Sequence, residues 1–176
     1  EERVKLDGIS RYIDRHEFRF DRVFDVQAGN REIYEAVVQE LIETVVQGGR
    51  ATCFAYGQTG SGKTHTMLNA GDGLYHLAAA DLMRNVLNEL PDVSIHVAFY
   101  EIYQNSLYDL LNQKRRLMAC EGKGGEVHIV GLTEIQVASV SQLQSVMHDA
   151  LTTRSTGSTA AKSSSSRSHA ILQFIL

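Results

Sequence analysis

The sequence is poor in the features that mark disulfide-rich, metal-binding or membrane proteins. It has two cysteines, one proline, no tryptophan and no long apolar run. The cysteines, Cys53 and Cys120, show neither a metal-ligand spacing nor a disulfide framework. No apolar run approaches the roughly 20 residues that a membrane-spanning helix needs. The formal net charge of −4 shows no basic excess, which argues against a nucleic-acid binder. We therefore expect neither a membrane nor a nucleic-acid partner.

The composition is that of a folded protein. The chain has 176 residues, of which 43% are hydrophobic and 22% are charged. This is the length of one domain, and it supplies enough apolar side chains for a core. A globular protein inside the cell is therefore predicted, with two ordinary thiols.

The most informative stretch is a glycine-rich loop that ends in a lysine and a threonine, Gly57-Gln58-Thr59-Gly60-Ser61-Gly62-Lys63-Thr64. It has the spacing of a nucleotide phosphate loop and follows an apolar run, residues 51–56, that is predicted to be a buried strand containing Cys53. Glycines let backbone amides approach phosphate oxygens. Lys63 would reach the β- and γ-phosphates, and Thr64 would bind magnesium. The loop predicts a nucleoside triphosphate site, and the alternative is a flexible Gly/Ser turn.

Periodicity before and after this loop predicts helices and strands. Residues 18–24 alternate as in a half-buried strand, and Asn30 is expected to cap an amphipathic helix over residues 31–47. A second helical pattern follows Gly71-Asp72-Gly73 and stops before Pro91. Its apolar positions are Leu74, Leu77, Ala78, Leu82, Val86 and Leu90.

The second half of the chain continues the alternation. Strands are predicted at 93–103, 127–130 and 170–176, whereas 107–111 fits a short helix or a strand. The basic run at 114–116 is interpreted as a solvated loop. Ser139 is expected to cap a helix with an inward face of Leu143, Val146, Met147, Ala150 and Leu151. The polar stretch 152–168 is typical of a mobile connector. Helices alternating with strands indicate an α/β fold with a central sheet.

Two motifs read together resemble one protein family. Residues 54–67, Phe-Ala-Tyr-Gly-Gln-Thr-Gly-Ser-Gly-Lys-Thr-His-Thr-Met, and residues 165–169, Ser-Ser-Arg-Ser-His, resemble the phosphate loop and the switch I motif of the kinesin motor domain. By composition alone, residues 163–169 fit a serine-rich linker. Residues 20–24, 101–103 and 109–111 are similar to further elements of the family. The resemblance spans nearly the whole chain and implies a kinesin-type P-loop NTPase motor with a central mixed β-sheet flanked by helices.

The resemblance implies a role for individual residues. Ser166 resembles the serine that approaches magnesium, the ion that Thr64 would also bind. Ser165 resembles the serine that closes on the γ-phosphate. Arg167 resembles the arginine that pairs with a glutamate in switch II. Lys162 stands where the family usually has asparagine. Phosphoryl transfer needs such positioning and charge stabilisation. The implied ATP or ADP site comprises Gly57, Gln58, Thr59, Gly60, Ser61, Gly62, Lys63, Thr64 and His65.

The resemblance also implies that residues 1–176 form about half of a motor domain, from the loop 2 region through switch I and the following strand. The first strand of the family's sheet and everything from switch II onward would then be absent. We therefore expect these residues alone to be inactive, and the ATPase activity to belong to a longer motor.

Within the family, residues 49–54 and Lys5-Leu6-Asp7 are similar to the kinesin-13 group, whose second loop carries a Lys-Val-Asp tip used to bend tubulin. This resemblance implies tubulin as a partner, a location in the cytoplasm on spindle, ciliary or flagellar microtubules, and a possible dimer through segments outside this chain. A translocating kinesin and a non-catalytic microtubule-binding kinesin-like protein are the alternatives. An unrelated phosphate-loop enzyme would not carry the 165–169 motif. The predicted tubulin contacts are Lys5, Leu6, Asp7, Lys114, Arg115, Arg116 and Lys123.

Overall fold

The computed structural model describes residues 2–4, 9, 11–13, 15–156 and 168–176. The strands are β1 (Glu2–Val4), β2 (Arg11–Ile13), β3 (Ile95–Tyr103), β4 (Ser106–Asp109), β5 (Arg115–Glu121), β6 (Val127–Val130), β7 (Ile135–Val137) and β8 (Ser168–Ile175). The helices are α1 (Asn30–Ile33), a π-helical turn (Tyr34–Val38), α2 (Gln39–Val46), α3 (Lys63–Leu68), α4 (Leu74–Glu89) and α5 (Val140–Thr156).

Strand β3 is the centre of a six-stranded sheet. One of its edges pairs with β8, and the other pairs with β7 near the start of β3 and with β4 near its end. Strands β5 and β6 extend the sheet beyond β4, and β1 and β2 form a separate hairpin. The expected α/β fold with a central sheet is confirmed. All pairings among the described strands are antiparallel, so the parallel pairings of a mixed sheet are not found within these ranges.

Helices α4 and α5 bury their apolar faces against β3. In α4 the predicted inward residues, such as Leu82 and Val86, are buried, because apolar side chains three and four positions apart share one face. Leu143 and Met147 of α5 join the same cluster as Val97 of β3. The predicted inward face of α5 is therefore confirmed. Its cap is confirmed too, since the Ser139 hydroxyl accepts a hydrogen bond from the Gln142 amide at 3.2 Å.

The helix predicted over residues 31–47 is present but is interrupted by a π-helical turn. Tyr34, Val38 and Ile42 are buried, and the wider π turn keeps this spacing of four on one face. The prediction that Asn30 caps the helix was wrong. Gly29 is the N-cap residue, and Asn30 is a buried residue of the first turn. The Asn30 side chain forms a hydrogen bond to a residue of α3 instead.

Two predicted strands, residues 18–24 and 51–56, are not strands, and most of their apolar side chains face solvent. The exposed fraction is 76% for Phe18, 80% for Phe54 and 95% for Tyr56. Cys53, expected in a buried strand, is also exposed. An apolar run becomes a buried strand only where neighbouring strands accept its backbone hydrogen bonds. No described strand pairs with either run.

Strand β5 was not predicted, because a basic run was interpreted as a solvated loop. Arg115 and Arg116 instead open this strand, which pairs with β4 and β6. The ambiguous residues 107–111 begin as strand β4, and the short strand β7 was missed. Helix α5 continues through Thr156 into the predicted connector, and the hydroxyls of Thr152 and Thr153 bond back to carbonyls four residues earlier.

Candidate functional site

The glycine-rich loop closes around the ammonium group of its own lysine. Lys63 Nζ donates hydrogen bonds to the carbonyl oxygens of Gly57 and Gln58, each at 2.7 Å. The Ser61 amide donates to the Gln58 carbonyl at 3.2 Å, which forms the turn inside the loop. The cation is thereby held against the loop backbone.

Two glycines of the loop cannot be replaced without strain. Gly62 is the N-cap residue of α3 and has a φ angle of +91°, in the left-handed region. Gly57 has a φ angle of +153°, which other residues rarely adopt, and a Cβ atom there would lie 2.5 Å from the Ser61 hydroxyl oxygen. Glycine is therefore required at both positions by the conformation of the loop itself.

Helix α3 is anchored to the core while its loop stays exposed. Met67 is buried in the main apolar cluster, and Asn30 Nδ2 donates to the carbonyl oxygen of His65 at 3.2 Å. The side chains of Thr64 and His65 are exposed. Asn30 is a supporting residue that the sequence analysis misassigned as a helix cap. Nothing in its local pattern signals a bond across 35 positions.

The donor chemistry of the loop fits a magnesium nucleoside triphosphate. Lys63 supplies a cation, the glycines leave backbone amides accessible, and the exposed Thr64 hydroxyl is a hard oxygen ligand. Among the described residues, no group of His, Cys, Asp or Glu could hold a metal ion by itself. The predicted switch I residues Ser165, Ser166 and Arg167 lie outside the described residues. The structure thus brings together the phosphate-loop half of the predicted site.

A buried carboxylate, Glu101, forms a second cluster that the sequence analysis did not find. It lies on β3 with 4% of its surface exposed. Arg154 Nε of α5 donates to Glu101 Oε1 at 3.2 Å, and Lys114 Nζ lies 3.7 Å from Glu101 Oε2. Arg154 also donates to the Ser168 hydroxyl at 3.2 Å. The available signal was a lone acid in an otherwise apolar and aromatic strand.

Asp109 is a second buried acid, and its contacts are structural. Its carboxylate accepts hydrogen bonds from the backbone amides of Leu111 and Thr133, both at 2.9 Å. These bonds tie the end of β4 to the connection between β6 and β7. A buried carboxylate is tolerated where such donors satisfy it.

Burial raises the pKa of several phenols around the helices. The pKa of Tyr34 is raised by burial and by the hydrogen bond that its hydroxyl donates to Asp81 at 2.7 Å, so the phenol stays neutral. Burial also raises the pKa of Tyr75, and the neighbouring Arg154 partly offsets that rise. Both groups act as packed, uncharged side chains.

Among the predicted tubulin contacts, the four that lie within the described residues differ in orientation and exposure. Arg115 and Arg116 are adjacent residues of β5 and therefore point to opposite faces of the sheet. Lys123 is exposed in the turn between β5 and β6, whereas Lys114 is partly buried against Glu101. Lys5, Leu6 and Asp7 lie outside the described residues.

Comparisons with known proteins agree on one family. A family model described as the kinesin motor domain matches residues 2–176. Kinesin-like protein KIF24 of Homo sapiens is 44% identical over 176 residues, which cover 98% of this chain and 13% of that protein. KIF24 of Mus musculus gives the same identity and coverage. A solved structure described as a fast kinesin, with implications for ATPase mechanism and interactions with microtubules, matches with a TM-score of 0.81 at 31% identity. That match covers 92% of this chain and 49% of the solved one.

Proposed function

The chain belongs to the kinesin motor-domain family, and from this premise we propose that it is the nucleotide-binding part of a longer, ATP-dependent microtubule motor. The observation that carries the proposal is the phosphate loop, where Lys63 lies against the carbonyls of Gly57 and Gln58. The chain spans 13% of the length of the curated relatives it matches. The ATPase activity is therefore proposed for the full-length protein.

Each loop residue would bind a different part of the magnesium nucleotide, according to its chemistry. Backbone amides at residues 57–62 would bind phosphate oxygens, and Lys63 would leave its present carbonyl partners to pair with the β- and γ-phosphates. Thr64 and Ser166 would hold the magnesium ion, which neutralises phosphate charge when bound. Ser165 and Arg167 would close the site on the γ-phosphate side. The anchored helix α3 keeps the loop in place during this exchange.

We further propose that the motor is of the kinesin-13 type and uses ATP to bend tubulin at microtubule ends. The support is the resemblance of residues 49–54 and of Lys5-Leu6-Asp7 to that group. The hairpin of β1 and β2 flanks the latter residues in sequence, and Ile9 between its strands is 87% exposed. A hairpin that exposes the segment between its strands would be a suitable carrier for a tubulin-contacting loop. A motor that binds curved tubulin more tightly than straight tubulin shifts a microtubule end toward disassembly.

A translocating kinesin is the second candidate, because it would share the whole nucleotide site. A non-catalytic kinesin-like protein is disfavoured by the intact glycines, Lys63 and Thr64 of the loop. In either motor, the proposed location is on microtubules of the cytoplasm, and dimerisation would use segments outside this chain.

The test of this proposal is a tubulin-release assay with the full-length protein. Stabilised microtubules are incubated with the protein and ATP and then sedimented, and the tubulin left in the supernatant is measured. Release that requires ATP and is lost in Lys63→Ala supports a depolymerase. ATPase activity with intact microtubules favours the translocating motor, and no ATPase activity contradicts both.

Charge reversal of two exposed cations of the β5–β6 hairpin, Arg116 and Lys123, is expected to weaken microtubule binding. Arg116→Glu combined with Lys123→Glu should lower microtubule affinity at low salt about tenfold, because acidic tubulin attracts exposed cations. Arg115→Glu, on the opposite face of β5, is the matched comparison. Cosedimentation at two salt concentrations measures the affinities. Equal affinity in all variants would remove this hairpin from the proposed interface.

A further inference from the structure

We propose that Lys114, Glu101 and Arg154 are positioning residues that connect the β4–β5 turn to α5 and β8, the two elements that flank residues 157–167, and thereby set how strongly microtubules stimulate the ATPase. This inference rests on the proposed function. It assigns the regulation of the nucleotide site to a cluster that lies apart from the phosphate loop. The three residues come from β3, the β4–β5 turn and α5.

The centre of the cluster is the Glu101 carboxylate, whose two oxygens contact different cations. Its Oε1 accepts from Arg154 Nε at 3.2 Å, and its Oε2 lies 3.7 Å from Lys114 Nζ. The side chains of Glu101 and Arg154 are only 6% and 13% exposed. A buried carboxylate with two partners has a narrow range of favourable positions, because the loss of either partner leaves charge uncompensated. The cluster therefore links its three elements rigidly.

Lys114 belongs to this cluster through its backbone as well as its ammonium group. Gln113 and Lys114 have φ angles of +48° and +57°, a left-handed conformation that costs energy in residues other than glycine. The Lys114 amide donates to the Asp109 carbonyl at 2.9 Å. Its Nζ donates to the Arg154 carbonyl at the end of α5, at 3.0 Å. These contacts join a strained turn to α5, and we therefore expect a displacement of the neighbouring strand β5 to affect α5.

Arg154 also contacts strand β8. Its second guanidinium nitrogen donates to the hydroxyl of Ser168 at 3.2 Å, across 14 positions of the chain. Ser168 is paired with Tyr103, next to Glu101 on the same face of β3 and β8. One cluster thus holds Arg154 in the last turn of α5 and Ser168, the first residue of β8, and these two elements flank the stretch that contains Ser165 and Ser166. Because consecutive Cα atoms are about 3.8 Å apart, the Cα atom of Ser166 must lie within about 8 Å of that of Ser168, so the position of Ser168 limits where this serine can be placed.

An ion cluster that only stabilises the fold would make the same contacts. A stabilising role and a positioning role differ in which measured property a substitution changes. A purely stabilising cluster affects thermal unfolding and leaves the ratio of stimulated to basal ATPase unaltered. A tubulin contact at Lys114 would raise the microtubule concentration needed for half-maximal stimulation. A positioning role lowers the maximal rate at saturating microtubules. These three readouts separate the roles.

The experiment compares Lys114→Met, Lys114→Arg and Arg31→Met in the full-length protein. Lys114→Met keeps the length of the side chain but removes its charge, and Lys114→Arg keeps the charge. Arg31 is the control, because it is exposed and its ion pair with Glu35 is long, at 4.0 Å. ATP turnover is measured without microtubules and across a microtubule titration. Lys114→Met should lower maximal stimulation about fivefold or more, and Lys114→Arg should restore most of it.

A second measurement tests the connection in the absence of tubulin. Amide hydrogen exchange of residues 150–156 and 168–170 should be faster in Lys114→Met than in the unsubstituted protein and in Arg31→Met. Unchanged exchange in both ranges would overturn the inference, and so would unchanged maximal stimulation in a Lys114→Met protein that is otherwise active. If the unsubstituted protein has no ATPase activity that Lys63→Ala removes, the proposed function fails and the regulatory role fails with it. Faster exchange with normal ATPase stimulation would leave only a structural cluster and also contradict the proposal.

Discussion

Replacing Lys63 by alanine is expected to lower the affinity of the full-length protein for ATP about a hundredfold or more. Charge-assisted hydrogen bonds contribute about 1.5–3 kcal/mol each, and the ammonium would make at least two of them with the β- and γ-phosphates. Backbone amides of the loop cannot replace this charge. Titration of a fluorescent ATP analogue in the presence of magnesium measures the affinity directly.

The control for this prediction must separate phosphate binding from the shape of the loop. Lys63 also bonds to the carbonyls of Gly57 and Gln58, so its removal loosens the loop. Lys123→Ala removes an exposed lysine far from the loop in sequence and should leave nucleotide affinity unchanged. If Lys63→Ala bound ATP as tightly as Lys123→Ala, residues 57–64 could not be the phosphate site.

The replacement Phe99→Ala is expected to cost about 3–5 kcal/mol of unfolding free energy. Phe99 is fully buried on the central strand β3, where it packs with Leu110 and Ala150. Its ring meets that of Tyr75 edge to face, with centroids 6.4 Å apart. The side chains around it come from the sheet and from both long helices, so the cavity could close only if several elements moved.

The measurement is hydrogen exchange of the β3 amides in the full-length protein, because these exchange mainly through global opening of the domain. Phe99→Leu is the matched comparison, since it keeps most of the volume and should cost less than about 1.5 kcal/mol. Similar losses in the two variants would show that ring volume at this position does not limit stability.

The long helices and the strands with a clear pattern could be predicted from the sequence. The spacing of Leu82 and Val86 placed α4, and Leu143 with Met147 placed α5, because the face of a helix is set by residues three and four apart. The start of α5 could be predicted as well, because the hydroxyl of Ser139 caps the helix through a local hydrogen bond. The π-helical turn at Tyr34–Val38 has no such local signal.

Predictions failed where a strand depends on its neighbours. Residues 51–56 have the composition of a buried strand, yet Phe54 and Tyr56 are exposed because no described strand pairs with them. The opposite error occurred at Arg115 and Arg116, whose charges suggested a loop. There β4 and β6 take up the backbone hydrogen bonds, and the long cationic side chains reach solvent.

The sequence by itself predicted the phosphate loop and showed the family resemblance. Each motif behind these predictions is contiguous, and the loop from Gly57 to Thr64 takes its conformation from its own glycines and lysine. Tertiary structure alone decided which charges are buried together. Glu101 and Arg154 are 53 positions apart, and only the packing of α5 on β3 brings them into contact. A local sequence pattern cannot predict a contact between residues so far apart in the chain, because the burial of a charge depends on all the elements that pack around it.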